Sequence, residues 1–293
     1  MWTLPDAPVP DAFLSGALAD ILADDMRSLA IPGCVAALWH HGRVGRAAFG
    51  WADPERRVPV GPDTVFPLYS IAKLFTATMI IEAVAAGWLD LDAAVTSLLP
   101  DFGPRDPRGG DIRVRHLLAH VSGLPGDLLL DTGNGDDCIT TYVRACAELD
   151  LFHRPGEIVS YCNAGFVLLG AILERLHGQP FDRILTRRLL DPLRIGDQPA
   201  GAARAVTHVM DPVRGRPVPL AGPAYGRALG PAGADLALTA EELLRFGLLH
   251  LGHVQTGGDL PWPVLKQMRL PQSALPDGLA ADRKSTRLNS SHT

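Results

Sequence analysis

The stretch VFPLYSIAKLFTATMIIEAVAAG, residues 65–87, decides the fold. Ile71, Leu74, Phe75, Ala77, Met79, Ile80, Ile81 and Val84 recur so densely that a helix over 70–86 is apolar on most of its surface. Such a helix belongs inside a core rather than on top of one. At its start stand Ser70 and Lys73 in the pattern Ser-x-x-Lys, one turn apart on the same face. A serine hydroxyl is a poor nucleophile without an adjacent base. Lys73 can be that base if burial and a neighbouring cation lower its pKa, because desolvation disfavours the charged form. The helix N-terminus would favour negative charge developing near Ser70. An N-cap serine beside a solvated lysine has the same spacing, so the motif needs support from elsewhere in the chain.

Upstream of that helix, Leu14, Leu18, Ile21, Leu22 and Met26 set a helix over 12–29, which Pro32-Gly33 ends. Two apolar runs, 34–39 and 44–49, flank His40-His41-Gly42-Arg43 and predict a β-hairpin. Residues 54–67 read as a Pro-rich linker. Downstream, short helical patterns at 91–99, 114–120 and 139–149 alternate with Gly/Pro/Asp-rich turns, which predicts a helical subdomain over about 89–163. Further helices are expected over 164–177, 181–190 and 240–251. One hairpin followed by mostly helix implies an α+β fold, an antiparallel sheet flanked by helices, that still needs more strands.

With 293 residues, 47% of them hydrophobic and 20% charged, the chain can bury a substantial core. A formal charge of -5 and the lack of a Lys/Arg-rich run before the C-terminus argue against a nucleic-acid partner. Cys34, Cys138, Cys146 and Cys162 are scattered without a C-x-x-C pair and read as reduced apolar fillers. Residues 1–20 carry Asp6, Asp11 and Asp20 and show no basic n-region or apolar h-region, so no signal peptide is indicated. The most hydrophobic stretch, 74–89, is broken by Glu82 and Gly87 and falls short of the ~20 residues a membrane span needs. A soluble, cytoplasmic protein without a membrane partner is expected.

Tyr161-Cys162-Asn163, lying between Pro155-Gly156-Glu157 and a new helix, supplies the missing support as a Tyr-x-Asn element. Together with residues 65–77, with Gly87-Trp88-Leu89-Asp90-Leu91-Asp92, with residues 114–125 and with the run from Pro155 to Gly170, it resembles the serine β-lactamase group. That group includes class C β-lactamases, family VIII carboxylesterases, D-aminopeptidases and low-molecular-mass penicillin-binding proteins. The resemblance covers residues 31–246 in order. It implies Ser70 as the acylated nucleophile, Lys73 as the base and Tyr161 as proton shuttle to the leaving group. Asn163 matches the position that binds both the lysine and a substrate carbonyl or amide. A phenol serves in proton exchange only if a nearby ammonium lowers its pKa, and Lys73 would supply that charge. The backbone N–H of Ser70 would be one oxyanion donor.

His116 and His120, four apart, could be half of a metal site, but no H-E-x-x-H and no third ligand accompany them, so neither metal nor cofactor is expected. The resemblance makes His120 a structural histidine before a Ser-Gly turn. His40-His41 reads as a solvated turn, and Ser122 lacks the first glycine of a G-x-S-x-G elbow. The third motif of the group, His/Lys-x-Gly on a strand, is not found; Thr256-Gly257-Gly258 follows too closely on the helix over 240–251. Residues 268–282 resemble the stretch upstream of that strand, whereas 283–293 are basic, Ser/Asn-rich and unlike the group. The expectation is a domain over 1–282, truncated, with an unpaired sheet edge and an incomplete oxyanion hole, followed by a foreign tail. The activity expected is hydrolysis of a small carboxylic ester through an acyl-serine. A β-lactamase or D-Ala-D-Ala-type peptidase and an inert fragment or module that binds an acyl-amide ligand are the alternatives.

Overall fold

The computed structural model describes residues 9–126, 128–196, 198, 201–220, 226–234, 236–254 and 262–272. Thr256-Gly257-Gly258 and residues 283–293 lie outside them. β1 (Val9–Pro10) leads into α1 (Ala12–Leu29), where the Asp11 side chain accepts from Leu14 N at 3.0 Å as an N-cap. α1 leans on the sheet through polar ties: Ser15 Oγ accepts from Arg46 N at 3.0 Å, and Arg43 pairs with Asp11 at 2.5 Å. None of its residues is buried, and Phe13 is 82% exposed.

β2 (Gly33–His40) and β3 (Arg43–Asp53) form the expected hairpin in the register Gly33↔Gly50 to His40↔Arg43. His41 (φ 47°) and Gly42 (φ 80°) turn it, and two positive φ values match the right-handed twist of the strands. β1 pairs parallel to β3 and β4 (Val58–Pro59) antiparallel to it, giving the order β1-β3-β2 with β4 alongside. The stretch 54–67 is therefore more than a linker, since it also holds β5 (Phe66–Pro67).

α2 (Ala72–Ala85) is the core helix, buried along most of its length, although Leu74 faces outward. After it come α3 (Val95–Leu98), α4 (Val114–Leu118), α5 (Cys138–Ala147) and α6 (Asn163–His177). α6 is buried without a break from Ala164 to Leu173 and packs on α2, α4 and α5. α3 is shorter than the 91–99 pattern because its flanks make sheet-like contacts: Ala94 bridges Arg113, and Val95 N donates to Ile112 O at 2.9 Å. The 181–190 pattern divides into α7 (Phe181–Leu185) and a π-turn over Thr186–Leu190.

Besides β1-β3 and β3-β4, two further pairings lie outside the predicted hairpin. β6 (His208–Asp211) and β7 (Arg216–Pro219) form a separate hairpin, and β8 (Ala237–Leu238) pairs with β5 immediately before Ser70. α8 (Ala240–His250) carries a capping box between Thr239 and Glu242 and stacks Phe246 on Phe75 at 3.8 Å. α9 (Trp262–Leu265) and the 3-10 turn Lys266–Arg269 that follows it end the described elements. Among the described residues no helix is long and apolar enough to cross a membrane.

Candidate active site

Ser70 sits in a 3-10 turn over Tyr69–Ile71, and the α-helix begins only at Ala72. Tyr69 adopts φ 46°, an uncommon conformation for a bulky residue, and its hydroxyl bonds Thr207 Oγ1. The turn is pressed from the other side by Gly233, at φ 135°. An ideal Cβ there would stand 2.4 Å from Tyr69 O and 3.0 Å from Ser70 N. Only glycine admits this approach.

The four residues singled out in the sequence converge. Ser70 Oγ accepts from Lys73 Nζ at 3.3 Å and from Tyr161 Oη at 2.5 Å. Lys73 is 5% exposed, and its ammonium also donates to Asn163 Oδ1 at 2.7 Å and to the Ala232 carbonyl. Nζ lies 4.8 Å from the Tyr161 ring centroid. Ser70 Oγ, Asn163 Oδ1 and the Ala232 carbonyl together match the three hydrogen-bond donors a lysine can offer. Ser70 and Tyr161 are both exposed.

His120 holds Tyr161 from both sides in sequence. Its carbonyl accepts from Ser160 N at 2.8 Å and its Nδ1 from Cys162 N at 3.1 Å, while its ring lies 4.7 Å from that of Tyr161. Burial, and then the Lys73 charge, bring the His120 pKa down to about 4, so the ring is neutral and Nδ1 free to accept. Asn163 is fixed by its backbone N–H to Gly126 O at 2.9 Å, and Cys162 caps α6 with Sγ accepting from Gly165 N at 3.2 Å. His116 uses Nδ1 to accept from Arg113 N at 3.2 Å. Both histidines thus serve backbone amides, and among the described residues no group of three metal-ligating side chains forms.

The segment Arg227–Ala232, a 3-10 helix, is the part of the site that side-chain motifs miss. It presents the Pro231 carbonyl to Thr76 Oγ1 at 2.8 Å and the Ala232 carbonyl to Lys73. Its contribution is backbone, so the run Leu229-Gly230-Pro231-Ala232-Gly233 signals a turn but not a role. Ser70 opens on two cavities. One of about 160 Å³ is walled by Tyr69, Leu129, Asn163, Leu229 and Gly233. The other, about 380 Å³, runs along Leu74, Ala77, Ile81, Leu118, Phe166 and Met268.

A family model described as Beta-lactamase matches residues 18–288. The chain belongs to this family. Membership agrees with the resemblance read from residues 31–246. The chain is 37% identical over 232 residues to Penicillin-binding protein 4 of Amycolatopsis lactamdurans, covering 75% of this chain and 60% of that protein. To Esterase EstB of Burkholderia gladioli it is 33% identical over 202 residues, covering 64% of this chain and 51% of the esterase. It therefore spans between half and two thirds of the length of these relatives. A Beta-Lactamase/D-Alanine Carboxypeptidase structure from Pseudomonas syringae superposes with TM-score 0.69 at 26% identity, over 87% of this chain and 69% of that one. The α+β architecture is that of such Beta-lactamase family structures.

Proposed function

We propose that the protein is a serine hydrolase that works through an acyl-enzyme on Ser70. The observation that carries this reading is one exposed hydroxyl within reach of both Lys73 Nζ (3.3 Å) and Tyr161 Oη (2.5 Å), at the mouth of two cavities. Lys73, once in its amine form, takes the Ser70 proton as Oγ attacks the carbonyl carbon, and Tyr161 passes a proton to the leaving group. Asn163 accepts from Lys73 at 2.7 Å and lines the smaller cavity, where a substrate carbonyl or amide would meet it. The Ser70 N–H is one oxyanion donor, and such a donor contributes about 3 kcal/mol to lowering the barrier. Small carboxylic esters are the proposed substrates: the larger cavity has mostly apolar walls, and one relative is named an esterase.

A second reading, action on a β-lactam or a D-Ala-D-Ala-type peptide, draws on the relative named penicillin-binding protein, which has the higher identity of the two curated relatives above. A fluorophosphonate probe tests the shared chemistry. The expected result is an intact-mass increase of one adduct, abolished by Ser70→Ala. An unlabelled wild-type chain overturns the hydrolase reading in favour of an inert binding module. Among labelled proteins, turnover of short-chain p-nitrophenyl esters against nitrocefin or a D-Ala-D-Ala peptide separates the two substrate classes.

A further inference from the structure

Lys73 is steered by a carbonyl, and a carbonyl is only as well placed as the segment bearing it. The 227–232 segment is a short rod. Leu229 N bonds Gly226 O at 2.9 Å, and Gly233 N bonds Leu229 O at 2.9 Å and Gly230 O at 3.1 Å. Its far end is wedged by Gly233 against Tyr69 and Ser70, and its middle lodges Pro231 against Gly170, where a Cβ would meet Pro231 Cγ at 2.3 Å. Its near end is tied by Arg227. Nη1 of that side chain donates to Asn134 O at 3.0 Å and Asp136 Oδ1 at 2.8 Å, while Nη2 spans both oxygens of Asp182 at 3.0 and 3.2 Å. The guanidinium thereby joins the loop before α5, helix α7 and the rod, with a fork geometry a lysine cannot reproduce.

We propose that Arg227 is a positioning residue for the reaction at Ser70, setting through the rod the place of the Ala232 carbonyl and hence the orientation of Lys73. This rests on the serine-hydrolase reading above. A fork shared between Asp136 and Asp182 is stiffer than a single ion pair, and its removal would leave those two carboxylates without their shared cation near Glu174, whose burial already raises its pKa. Cys138 is the other titratable side chain that senses Arg227 from α5. The groups that bear on Lys73 itself are Tyr161, His120 and Cys162. None of them is altered by a change at Arg227, so a response in the titration of Lys73 must come through the carbonyl or through space.

Those two routes have opposite signs. Withdrawing the Ala232 acceptor weakens the ammonium form of Lys73, so the acid limb of the pH–rate profile moves to lower pH. Removing the Arg227 charge by itself relieves repulsion and moves the limb to higher pH.

The experiment measures the rate constant for phosphonylation by the fluorophosphonate, in which a Ser70 Oγ–P bond forms and fluoride leaves, per titrated Ser70 site from pH 5 to 9 in the wild-type chain, Arg227→Ala, Arg227→Lys and Asp182→Asn. A rate constant per labelled site is independent of how much protein is folded. Arg227→Ala should react about tenfold more slowly, with its acid limb moved down by half a pH unit or more, given that ~1 Å of misplacement costs ~10²-fold. Arg227→Lys should recover part of both effects. Asp182→Asn, which keeps the shape and loses one charged arm, should show a smaller change of the same sign and keeps the test open if Arg227→Ala does not fold. Arg144→Ala, which breaks the surface pair with Asp101, is the control without effect. An unchanged rate and limb in Arg227→Ala, or a limb moved upward, overturns the proposal while leaving Ser70 labelled. Absence of label on the wild-type chain overturns the hydrolase reading instead.

Discussion

Replacing Gly233 by alanine tests the close backbone approach that seats Ser70. The added methyl would stand 2.4 Å from Tyr69 O and 3.0 Å from Ser70 N, against an ordinary contact distance of 3.4 Å or more. Relief therefore requires about 1 Å of movement between two backbone segments, because the obstructing atoms are not on a flexible side chain. Either the rod withdraws from Lys73 or the nucleophile turn shifts, and a displacement of that size near reacting atoms costs ~10²-fold in rate. Holding a Cβ at φ 135° adds about 1–3 kcal/mol of strain. The expected outcome is a fluorophosphonate phosphonylation rate about 10²-fold below wild type and a urea-derived stability lower by about 1–3 kcal/mol. Gly61→Ala, where the methyl meets nothing within 4 Å, serves as the comparison. Gly233→Ala with wild-type rate and wild-type stability would refute the account of how Ser70 is seated.

Two further outcomes follow from buried charge. His120 has a native pKa of about 4 against an ordinary 6.5, so the folded state binds its proton less readily than the unfolded chain. The associated stability is complete above about pH 6.5 and is lost as pH falls through about 4. The gap is equivalent to about 3 kcal/mol, which partial exposure of the ring reduces to roughly 2 kcal/mol. Urea titrations between pH 7 and 4 should show this decline in wild type and not in His120→Asn, and parallel curves would remove His120 as its source. Arg188 pairs with Glu82 at 2.6 Å, and the Glu82 side chain is 8% exposed, so Arg188→Ala strands a buried carboxylate and should cost about 3 kcal/mol in a chemical-denaturation measurement. A loss below about 1 kcal/mol would show that water reaches Glu82.

Side-chain periodicity and motif spacing carried most of the architecture, and the reason is visible in particular elements. α1, β2, α6 and α8 are long enough for their pattern to average over local exceptions, and each is seen within a residue or two of its expected bounds, whereas β3 runs on to Asp53, four residues past the expected 49, where it pairs with β4. α2 starts later because Tyr69 takes a left-handed conformation, which tertiary contacts with Gly233 and Thr207 impose and no propensity foretells. β5 and β8 are two residues each, too short for an alternation to register, and the residues they pair, Phe66 with Leu238 and Pro67 with Ala237, lie 172 and 170 positions apart in the chain. At the site, Ser70, Lys73, Tyr161 and Asn163 were legible as side chains in two motifs, and the structure brings all four together. The Ala232 carbonyl and the guanidinium behind it were not, since a backbone acceptor has no residue type to announce it.

Ser70 borders both cavities, with Gly233 and Leu229 on one side and Leu74 and Phe166 on the other. For the proposed chemistry this makes the nucleophile a threshold between two rooms rather than the floor of one. An acyl group retained in the larger space leaves the smaller one free, so the departing alcohol and the incoming water can use the same doorway in succession without disturbing the bound acyl chain.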